Sequence, residues 1–281
     1  MRVLVAGCGD VGTALAIELT KAGDTVFGLR RHAARLPAPI VPVSADLADP
    51  ATLENLPEVD AVVYTAAADQ STDDAYRRAY VDGVRHLLVS PALTRHRAER
   101  FLFVSSTAVY AQDDGGWVDE TSPTEPTNFR GKRLIEGEKL VSDSGVTPVV
   151  LRLAGIYGPG RTRLIDKVRS GRATLSAGPP RYANRIHRDD CAGALAHLLR
   201  LENPAPLYLG VDDTPVAMNE VYAWLATALG APGPSTESTP SMEAFSFEGT
   251  NKRCSNARLR ASGYRFRYPT YREGYGALIA G

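Results

Sequence analysis

Three glycines near the amino terminus have the spacing of a phosphate-binding turn. The GxGxxG segment comprises Gly7, Cys8, Gly9, Asp10, Val11 and Gly12. It follows the apolar run Arg2–Ala6 and opens an amphipathic pattern, which is the setting of a strand–turn–helix dinucleotide site. In such a site Gly7 permits the tight turn, Gly9 lets the backbone approach a pyrophosphate, and Gly12 allows close packing of helix on strand. The first helical N–H groups, including those of Asp10 and Val11, would face the phosphates.

Two arginines follow the second predicted strand, where a dinucleotide-binding unit usually has an acidic residue. That acid accepts hydrogen bonds from the ribose hydroxyls of NAD. Here the strand Thr25–Leu29 leads into Arg30 and Arg31. A guanidinium fits a 2′-phosphate, which a carboxylate would repel. The pair favours NADP(H) as the cofactor, with NAD(H) as the alternative, against the simpler interpretation of a solvated basic turn.

Short apolar runs alternate with longer helical patterns along the first half of the chain. This order predicts an α/β fold: a Rossmann-type, doubly wound parallel sheet with right-handed crossovers and helices on both faces. The predicted strands are Arg2–Ala6, Thr25–Leu29, Val41–Val43, Ala61–Thr65, Phe101–Ser105 and Pro148–Leu153. The predicted helices are Val11–Ala22, Ala75–Arg97, Gly131–Ser144, Asp189–Leu201 and Met218–Leu229.

Proline and glycine become frequent after residue 157 and divide the chain into short pieces, including a loop at Gly230–Pro240. We therefore expect a dinucleotide-binding Rossmann domain at residues 1–157 and a smaller, irregular carboxyl-terminal cap at residues 158–281. The cap should interleave with the core and cover the carboxyl edge of the sheet, where ligands bind in open α/β sheets.

Charge and cysteine content exclude several classes of protein. Lysine plus arginine and aspartate plus glutamate each number 32, so the formal net charge is zero. No basic field is present to hold nucleic acid, and no apolar run approaches the roughly 20 residues that span a bilayer. Cys8, Cys191 and Cys254 are scattered without a CxxC or Cys/His cluster. We expect reduced thiols, no bound metal and a cytoplasmic protein without a nucleic-acid or membrane partner.

Segments that follow the predicted strands resemble, in order, motifs of the extended short-chain dehydrogenase/reductases, the group of sugar-nucleotide epimerases, dehydratases and reductases. They are Asp46-Leu47, Thr65-Ala66-Ala67-Ala68, Phe103 to Tyr110, Arg152 to Arg161, and Arg185 to Asp190. The resemblance implies that the first segment borders the adenine and that the second runs beside the cofactor. The chain has GxGxxG where the group has GxxGxxG, and in this it resembles an atypical subgroup labelled NAD-dependent epimerase/dehydratase-like.

The proton-transfer pair of the resembled group is absent. Its members use a tyrosine four residues ahead of a lysine, whose charge helps the phenol to ionise near neutral pH. In the segment after Thr127, one register places Asn128 and Lys132 at those positions. The other register places Phe129 and Arg133 there. Neither supplies a phenol.

Other side chains could still act on a substrate. The resemblance places Ser106 at the group's catalytic serine, where it would hydrogen-bond a carbonyl or hydroxyl, and Lys132 near the nicotinamide ribose. Tyr110 and Tyr157 could replace the proton donor, although both correspond to tyrosines that are usually structural. His187 could contact a ligand, but capping the following helix or internal packing is the simpler interpretation. Four further residues could line a pocket for an anionic substrate: Arg163, Arg185, Arg253 and Asn256.

Two hypotheses from different classes follow. The first is an NADP(H)-dependent oxidoreductase or epimerase-like protein acting on a small carbonyl or a nucleotide-linked sugar. The second is a non-catalytic protein that binds NADP(H) and reports its state to a partner. The missing tyrosine favours the second, and the cap favours the first. The resemblance also implies a homodimer formed through the predicted helices Ala75–Arg97 and Gly131–Ser144, since two-fold pairing is the commonest symmetry.

Overall fold

Seven parallel strands form the central sheet of the computed structural model, which describes residues 1–95, 98–175, 178–236 and 250–280. In spatial order they are β12 (Leu207–Gly210), β7 (Thr147–Leu153), β5 (Arg100–Ser106), β4 (Ala61–Tyr64), β1 (Arg2–Ala6), β2 (Thr25–Arg30) and β3 (Val41–Ser44). Neighbouring strands pair in parallel throughout. The predicted Rossmann-type α/β fold is confirmed.

The winding of the sheet changes direction at β1, which lies between β2 and β4. Val5 of β1 pairs with Gly28 on one side and Val63 on the other. The strand is buried on both faces because it is apolar at successive positions, as in parallel sheets covered by helices. Val3, Leu4 and Val5 have no exposed surface. The turn that follows Ala6 therefore lies at the reversal of strand order, where doubly wound folds bind ligands.

Helices cover both faces of the sheet. Their bounds are α1 (Asp10–Lys21), α2 (Asp73–Arg77), α3 (Gly83–Leu88), α4 (Pro91–Arg95), α5 (Phe129–Ser142), α6 (Arg163–Arg169), α7 (Arg188–Arg200), α8 (Met218–Leu229), α9 (Ala257–Ala261) and α10 (Tyr271–Ala280). Leu15 of α1 and Leu195 of α7 share one core cluster. Val84 of α3 and Val141 of α5 belong to the cluster on the opposite face. No helix in the described ranges is long and apolar enough to cross a membrane.

The helix predicted at Ala75–Arg97 is interrupted in the structure. It begins earlier, at Asp73, because the Thr72 hydroxyl caps it by accepting from the backbone N–H of Ala75. A π-helical turn spans Arg78–Asp82 between α2 and α3. The prediction of one continuous helix was wrong because Pro91 disfavours helical backbone at the residue before it, so α3 ends at Leu88 and Pro91 starts α4. His96 and Arg97 lie outside the described residues.

Residues after 157 contribute to both the core and a separate apolar cluster. Strand β12 is an edge of the central sheet, and α7 packs on α1. Helices α6, α8 and α10 instead form a second cluster around Ile165, Leu225 and Tyr271. Residues after 157 therefore lie both in the central sheet and in this second cluster. The division at residue 158 stays a prediction, and the end of the predicted loop Gly230–Pro240 lies outside the described residues.

Short strands tie the cap segments to one another and to the sheet. They are β6 (Trp117–Val118), β8 (Gly155–Tyr157), β9 (Thr174–Leu175), β10 (Tyr182–Ala183), β11 (Arg185–His187), β13 (Val216–Ala217), β14 (Ser235–Thr236) and β15 (Arg253–Cys254). Strand β8 continues from β7 and pairs in parallel with β11, and β15 pairs with β6. These pairs bring the segments around Tyr157, His187 and Cys254 towards the carboxyl end of the sheet.

Close backbone contact between α5 and the π-helical turn generates a stability prediction. A Cβ on Gly137 would lie 2.3 Å from the Tyr80 carbonyl oxygen and 2.9 Å from the Phe103 ring. Gly137→Ala should therefore lower the free energy of unfolding by about 1–3 kcal/mol through overpacking. Gly276→Ala in α10 is the matched control, since a Cβ there has no neighbour within 4 Å. Urea unfolding should show an unchanged or slightly raised stability for the control, and equal effects of the two variants would contradict the packing described.

Candidate cofactor site and its surroundings

The glycine turn after β1 adopts a conformation that only glycine accommodates at its first position. Gly7 has a φ of +82°, and a Cβ there would lie 2.3 Å from the backbone of Ala66. The N–H groups of Gly7 and Cys8 both donate to the Leu29 carbonyl, at 3.0 and 2.9 Å. The end of β1 is thus held against the end of β2 and the loop after β4.

Gly9 and Gly12 have different surroundings. A Cβ on Gly12 would lie 2.7 Å from the Thr65 hydroxyl and 3.1 Å from Val5, so this glycine allows α1 to pack on the sheet. A Cβ on Gly9 would meet only the Gly7 carbonyl oxygen, at 3.7 Å. The protein's own packing therefore does not require glycine at position 9. Open space at this point fits the close approach of a pyrophosphate to the backbone.

Helix α1 begins at Asp10 directly after the turn. Its N-cap is Gly9, which has no side chain to accept from the first N–H groups. Those groups have no acceptor within the helix, and the helix dipole is positive at this end. Val11, the second helical residue, is largely buried. The first turn of α1 can therefore hold an anion, as the sequence predicts for residues 7–12.

The ends of β2 and β3 place the predicted adenine-side residues on the same edge. Arg30 is partly buried, and its Nη1 donates to the Cys8 carbonyl at 3.4 Å. Arg31 is exposed and pairs with Asp69 at 3.6 Å. Asp46 accepts from the Ala48 N–H at 2.9 Å, and the Leu47 carbonyl contacts His86 Nδ1 at 3.0 Å.

The loop after β4 lies against the glycine turn. The Thr65 hydroxyl donates to the Gly7 carbonyl at 2.9 Å. Ala66 contacts Gly7 directly, and the following Ala67 is exposed. Residues at the ends of four neighbouring strands thus lie along one edge of the sheet, beside the start of α1. The structure brings together the glycines, Arg30 and the Thr65 segment as the sequence predicts.

Ser106 and Lys132, the predicted catalytic residues, have unlike environments. The Ser106 Oγ is partly exposed and accepts from the Ala108 N–H at 3.1 Å, which caps a short 3₁₀ turn. Lys132 is exposed on α5, and its charge contributes to lowering the pKa of Asp73, after the larger effect of the Arg133 hydrogen bond. No hydrogen bond joins Ser106 with Lys132 within the described part of the chain. A contact of Lys132 with the nicotinamide ribose stays a prediction.

Neither register of the missing tyrosine–lysine pair is available for proton transfer. Asn128 is the N-cap of α5, and its side chain accepts from the Gly131 N–H at 3.0 Å. Phe129 packs edge-on against Tyr76, with ring centroids 5.5 Å apart. Arg133 donates to Asp73 at 2.7 Å and also pairs with Glu136. These side chains attach α5 to α2 and cap the helix.

Tyr110 is part of a buried polar network rather than an exposed acid. Its hydroxyl donates to the Asp119 carbonyl and accepts from Arg152 Nη1, each at 2.8 Å. Arg152 pairs with Glu138 at 2.7 Å, and Glu138 also accepts from the Ser105 hydroxyl. Burial raises the pKa of Tyr110 to about 12 in spite of the nearby guanidinium. Its structural role is the one favoured by the resemblance.

Tyr157 belongs to a second buried cluster, beneath α10. Tyr157 Oη, Arg185 Nη1 and Asp212 Oδ2 are each buried without a hydrogen-bond partner among the described residues. Burial raises the pKa of Tyr157 far above its ordinary value, with a further contribution from Asp212. Burial also raises the pKa of the Asp212 carboxyl to about 7, although Arg185 opposes the shift. His187 beside this cluster caps α7 by accepting from the Asp189 N–H at 3.2 Å, and burial lowers the pKa of its ring.

The four residues considered for an anionic pocket lie in separate environments. Arg163 is exposed on α6. The Arg185 guanidinium lies over the Tyr271 ring, and that of Arg253 lies between the rings of Trp117 and Tyr182. Asn256 donates to the Val211 carbonyl and to Asp213. They do not form one cluster. In the described ranges, no group of three or more His, Cys, Asp or Glu side chains is arranged to hold a metal ion.

Sequence reasoning missed the ion pairs of Asp10 and the buried position of Lys252. Asp10 pairs with Arg161 at 2.6 Å and with Arg188 at 3.5 Å, which connects the glycine turn to the cap. Lys252 is nine-tenths buried and donates to the Tyr110 carbonyl at 3.0 Å and to the Thr250 hydroxyl at 2.9 Å. Burial lowers the pKa of its ammonium. The contacts of Asp10 with the cap and of Lys252 with Tyr110 join residues distant in sequence, and no local pattern indicates such pairs.

The sheet order and the glycine turn are those of a dinucleotide-binding Rossmann fold, and the family match identifies the class as the short-chain dehydrogenase/reductases. The family model of the RmlD substrate-binding domain matches residues 1–176, and the chain belongs to that family. Protein YeeZ of Escherichia coli is 32% identical over 248 residues, covering 83% of this chain and 85% of that protein. A 3-diazoavenalumate denitrifying reductase of Streptomyces is 30% identical over 312 residues, covering 98% and 99% of the two chains.

Solved structures agree with this assignment. A protein of Methylobacillus flagellatus, provisionally assigned as an NAD-dependent epimerase/dehydratase, superimposes with a TM-score of 0.83 at 38% identity, over 99% of this chain and 97% of that one. A human epimerase family protein in complex with NADPH gives a TM-score of 0.81 over the whole of both chains. Its 22% identity bears on the fold alone.

The buried Asp212 carboxyl generates a pH prediction. Its folded-state pKa of about 7 lies above the ordinary 3.8, so the folded state retains a proton that the unfolded state releases between these values. The stability contributed by the protonated carboxyl is therefore present at low pH and is lost as the pH rises to about 7. Asp212→Asn should remove this dependence, which amounts to at most about 4 kcal/mol for a shift of roughly three pKa units.

Urea unfolding at about pH 5 and about pH 8 measures the effect, with the second condition above the folded-state pKa. Relative to the parent, Asp212→Asn should gain stability between the lower and the higher pH. Asp143→Asn is the control, because Asp143 is 61% exposed in a surface pair with Lys139. If the stability of the parent and that of Asp212→Asn change with pH in parallel, the raised pKa of the buried Asp212 carboxyl is wrong.

Proposed function

We propose that the protein is an NADP(H)-binding oxidoreductase that acts on a small carbonyl compound or a nucleotide-linked sugar. The observation that carries the proposal is that the protein's own packing does not require glycine at position 9, at the start of α1 and beside the reversal of strand order. A turn that served only to connect a strand to a helix would not need glycine at that position. The relatives support a reductase: besides the denitrifying reductase, a dTDP-4-dehydrorhamnose reductase of Burkholderia thailandensis is 28% identical over 216 residues.

In this proposal each strand end has a role in holding the dinucleotide. The turn at residues 7–12 holds the pyrophosphate, and Arg30 and Arg31 receive the 2′-phosphate. Asp46 and Leu47 border the adenine. The segment Thr65, Ala66 and Ala67 lies beside the cofactor, and Lys132 lies near the nicotinamide ribose. Arg30 supports the assignment best, because its guanidinium already reaches the glycine turn.

The substrate half of the site would work without a tyrosine acid. A nicotinamide supplies or accepts a hydride when bound. Ser106 can donate a hydrogen bond to an oxygen on which negative charge develops. Tyr110 and Tyr157 are buried, and burial disfavours their ionisation. The proton then comes from water, the substrate or a less obvious acid, and turnover of generic carbonyls should be slow, since a positioned general acid typically contributes about 100- to 10,000-fold.

The second candidate is a non-catalytic NADP(H) sensor, favoured by the absence of a phenol at either register of α5. A substrate screen followed by NADPH absorbance separates the two, because a sensor binds the cofactor without consuming it.

We also propose a cytoplasmic homodimer. The three cysteines are free and buried, and α2 and α5, which the Arg133–Asp73 pair joins, belong to the helices through which the resemblance implies the dimer.

Gly9→Val tests the proposed site directly. The new side chain would fill the space beside the first turn of α1, so NADPH affinity should fall by at least about tenfold, the loss of roughly 1.4 kcal/mol. Gly233→Val is the matched control, since a Cβ at Gly233 has no neighbour within 4 Å and the residue is far from the turn in sequence. Calorimetric titration gives the affinities, and circular dichroism establishes that both variants fold. Unchanged NADPH binding by folded Gly9→Val would place the site elsewhere.

The preference for NADP(H) over NAD(H) depends on the arginines after β2. A charge-assisted contact to the 2′-phosphate contributes about 1.5–3 kcal/mol, or about 10- to 150-fold in affinity. Arg30→Ala should lower NADPH affinity within this range and leave NADH affinity almost unchanged, with a smaller effect of Arg31→Ala because Arg31 is 63% exposed. Arg35→Ala is the control for general charge loss at a nearby exposed position. Equal losses of affinity for NADPH and NADH in Arg30→Ala would contradict the assignment of Arg30 to the 2′-phosphate.

A further inference from the structure

A tight turn after β8 carries Arg161 towards the start of α1. The Arg161 N–H donates to the Gly158 carbonyl at 2.9 Å across Pro159 and Gly160. Gly160 has a φ of +76°, the conformation that a type II turn requires at its third position. Proline at the second position restricts the backbone further. The turn therefore holds the Arg161 backbone in one place, while the side chain extends from it.

The Arg161 side chain ends at the glycine turn. Its Nε donates to Asp10 Oδ2 at 2.6 Å, and Asp10 is the first residue of α1. Arg188 also approaches Asp10, at 3.5 Å, but Asp189 holds it more closely, at 2.7 Å. Within the described ranges, Asp10 is the carboxylate paired with Arg161. The Arg161 side chain is 43% exposed and that of Arg188 is 22% exposed, so Arg161 is the cation with more freedom to change partner.

The Asp10 carboxylate and the Arg161 guanidinium neutralise each other, and a bound anion would add negative charge beside them. Helices α1 and α7 pack on each other and begin at Asp10 and Arg188, so both amino-terminal ends lie near the Arg161 guanidinium. A pyrophosphate on the first turn of α1 brings two further negative charges beside the Asp10 carboxylate. Like charges in such proximity repel unless a cation lies between them or beside them. Arg161 is the cation already at this place.

We propose that Arg161 binds the pyrophosphate of the dinucleotide and exchanges its Asp10 contact for it. The inference rests on the proposed function and adds a cap residue to the cofactor site. The recognised chemistry is a diphosphate diester, which a nucleotide-linked substrate would also carry. The cofactor is the assigned source because Asp10 directly follows Gly9, whose open space defines the pyrophosphate position.

Binding of NADPH and of adenosine 2′-monophosphate tests the assignment. The monophosphate reaches the adenine and 2′-phosphate positions but has no pyrophosphate. Arg161→Gln should lose at least about tenfold in NADPH affinity, the worth of a charge-assisted hydrogen bond, and should bind the monophosphate as the parent does. Arg30→Ala should weaken both ligands. Arg169→Gln, an exposed arginine on the neighbouring α6, is the matched control and should change neither.

Asp10→Asn tests the exchange itself. This variant releases Arg161 from a carboxylate that competes with the pyrophosphate, so NADPH should bind at least as tightly as to the parent. If Asp10→Asn weakens NADPH as much as Arg161→Gln does, the two residues act as one binding unit and the exchange is wrong.

Three outcomes overturn the assignment of Arg161. Unchanged NADPH affinity in folded Arg161→Gln removes the residue from the cofactor site. Loss of affinity for a dTDP-linked or UDP-linked sugar, with NADPH affinity unchanged, moves the contact to the substrate. Equal losses for NADPH and the monophosphate indicate a general charge effect. If the parent binds no dinucleotide at all, the proposed function fails as well, which the parent titration shows before any variant is compared.

Discussion

The close approach of the Gly7 backbone to Ala66 is the contact on which the candidate site depends. With a Cβ at 2.3 Å from Ala66, no other residue fits position 7 without separating the turn from the loop after β4. The Thr65 hydroxyl stabilises the same contact by donating a hydrogen bond to the Gly7 carbonyl. The chain then turns into α1 with its first N–H groups at the sheet edge, where the helix dipole favours an anion. Gly9 is left beside open space as a consequence.

A buried polar network fixes the surroundings of Tyr110. Arg152 joins Tyr110 to Glu138, and Glu138 also accepts from Ser105, so β5, β7 and α5 are held together by charged hydrogen bonds. Removing one partner from such a network leaves a buried charge uncompensated. Tyr110 therefore has a structural role. The contacts of Phe129 with Tyr76 and of Arg133 with Asp73 likewise hold the start of α5 against α2.

Much of this arrangement could be predicted from the sequence because it is local. The tight turn at Gly7 and the close helix packing at Gly12 were predicted from their spacing after an apolar strand, and the structure shows both. The pyrophosphate contact of Gly9 stays a prediction. The interruption before Pro91 was missed because the apolar pattern continues across it. Asp10 and Arg161 each belong to a segment with a recognisable pattern, but they are 151 positions apart, and neither pattern indicates that they pair. The raised pKa of Asp212 arises from burial beneath α10, which depends on how the cap folds back on the core.

Hydrogen–deuterium exchange with and without NADPH tests the central claim, that a dinucleotide occupies the turn between β1 and α1. The bound pyrophosphate should accept from the first N–H groups of α1 and slow their exchange. We expect slower exchange in residues 7–13 and in the ends of β2 and β4, with no change in α8, which lies in the separate cap cluster. Unchanged exchange at residues 7–13 at saturating NADPH, or protection confined to the cap, would contradict it.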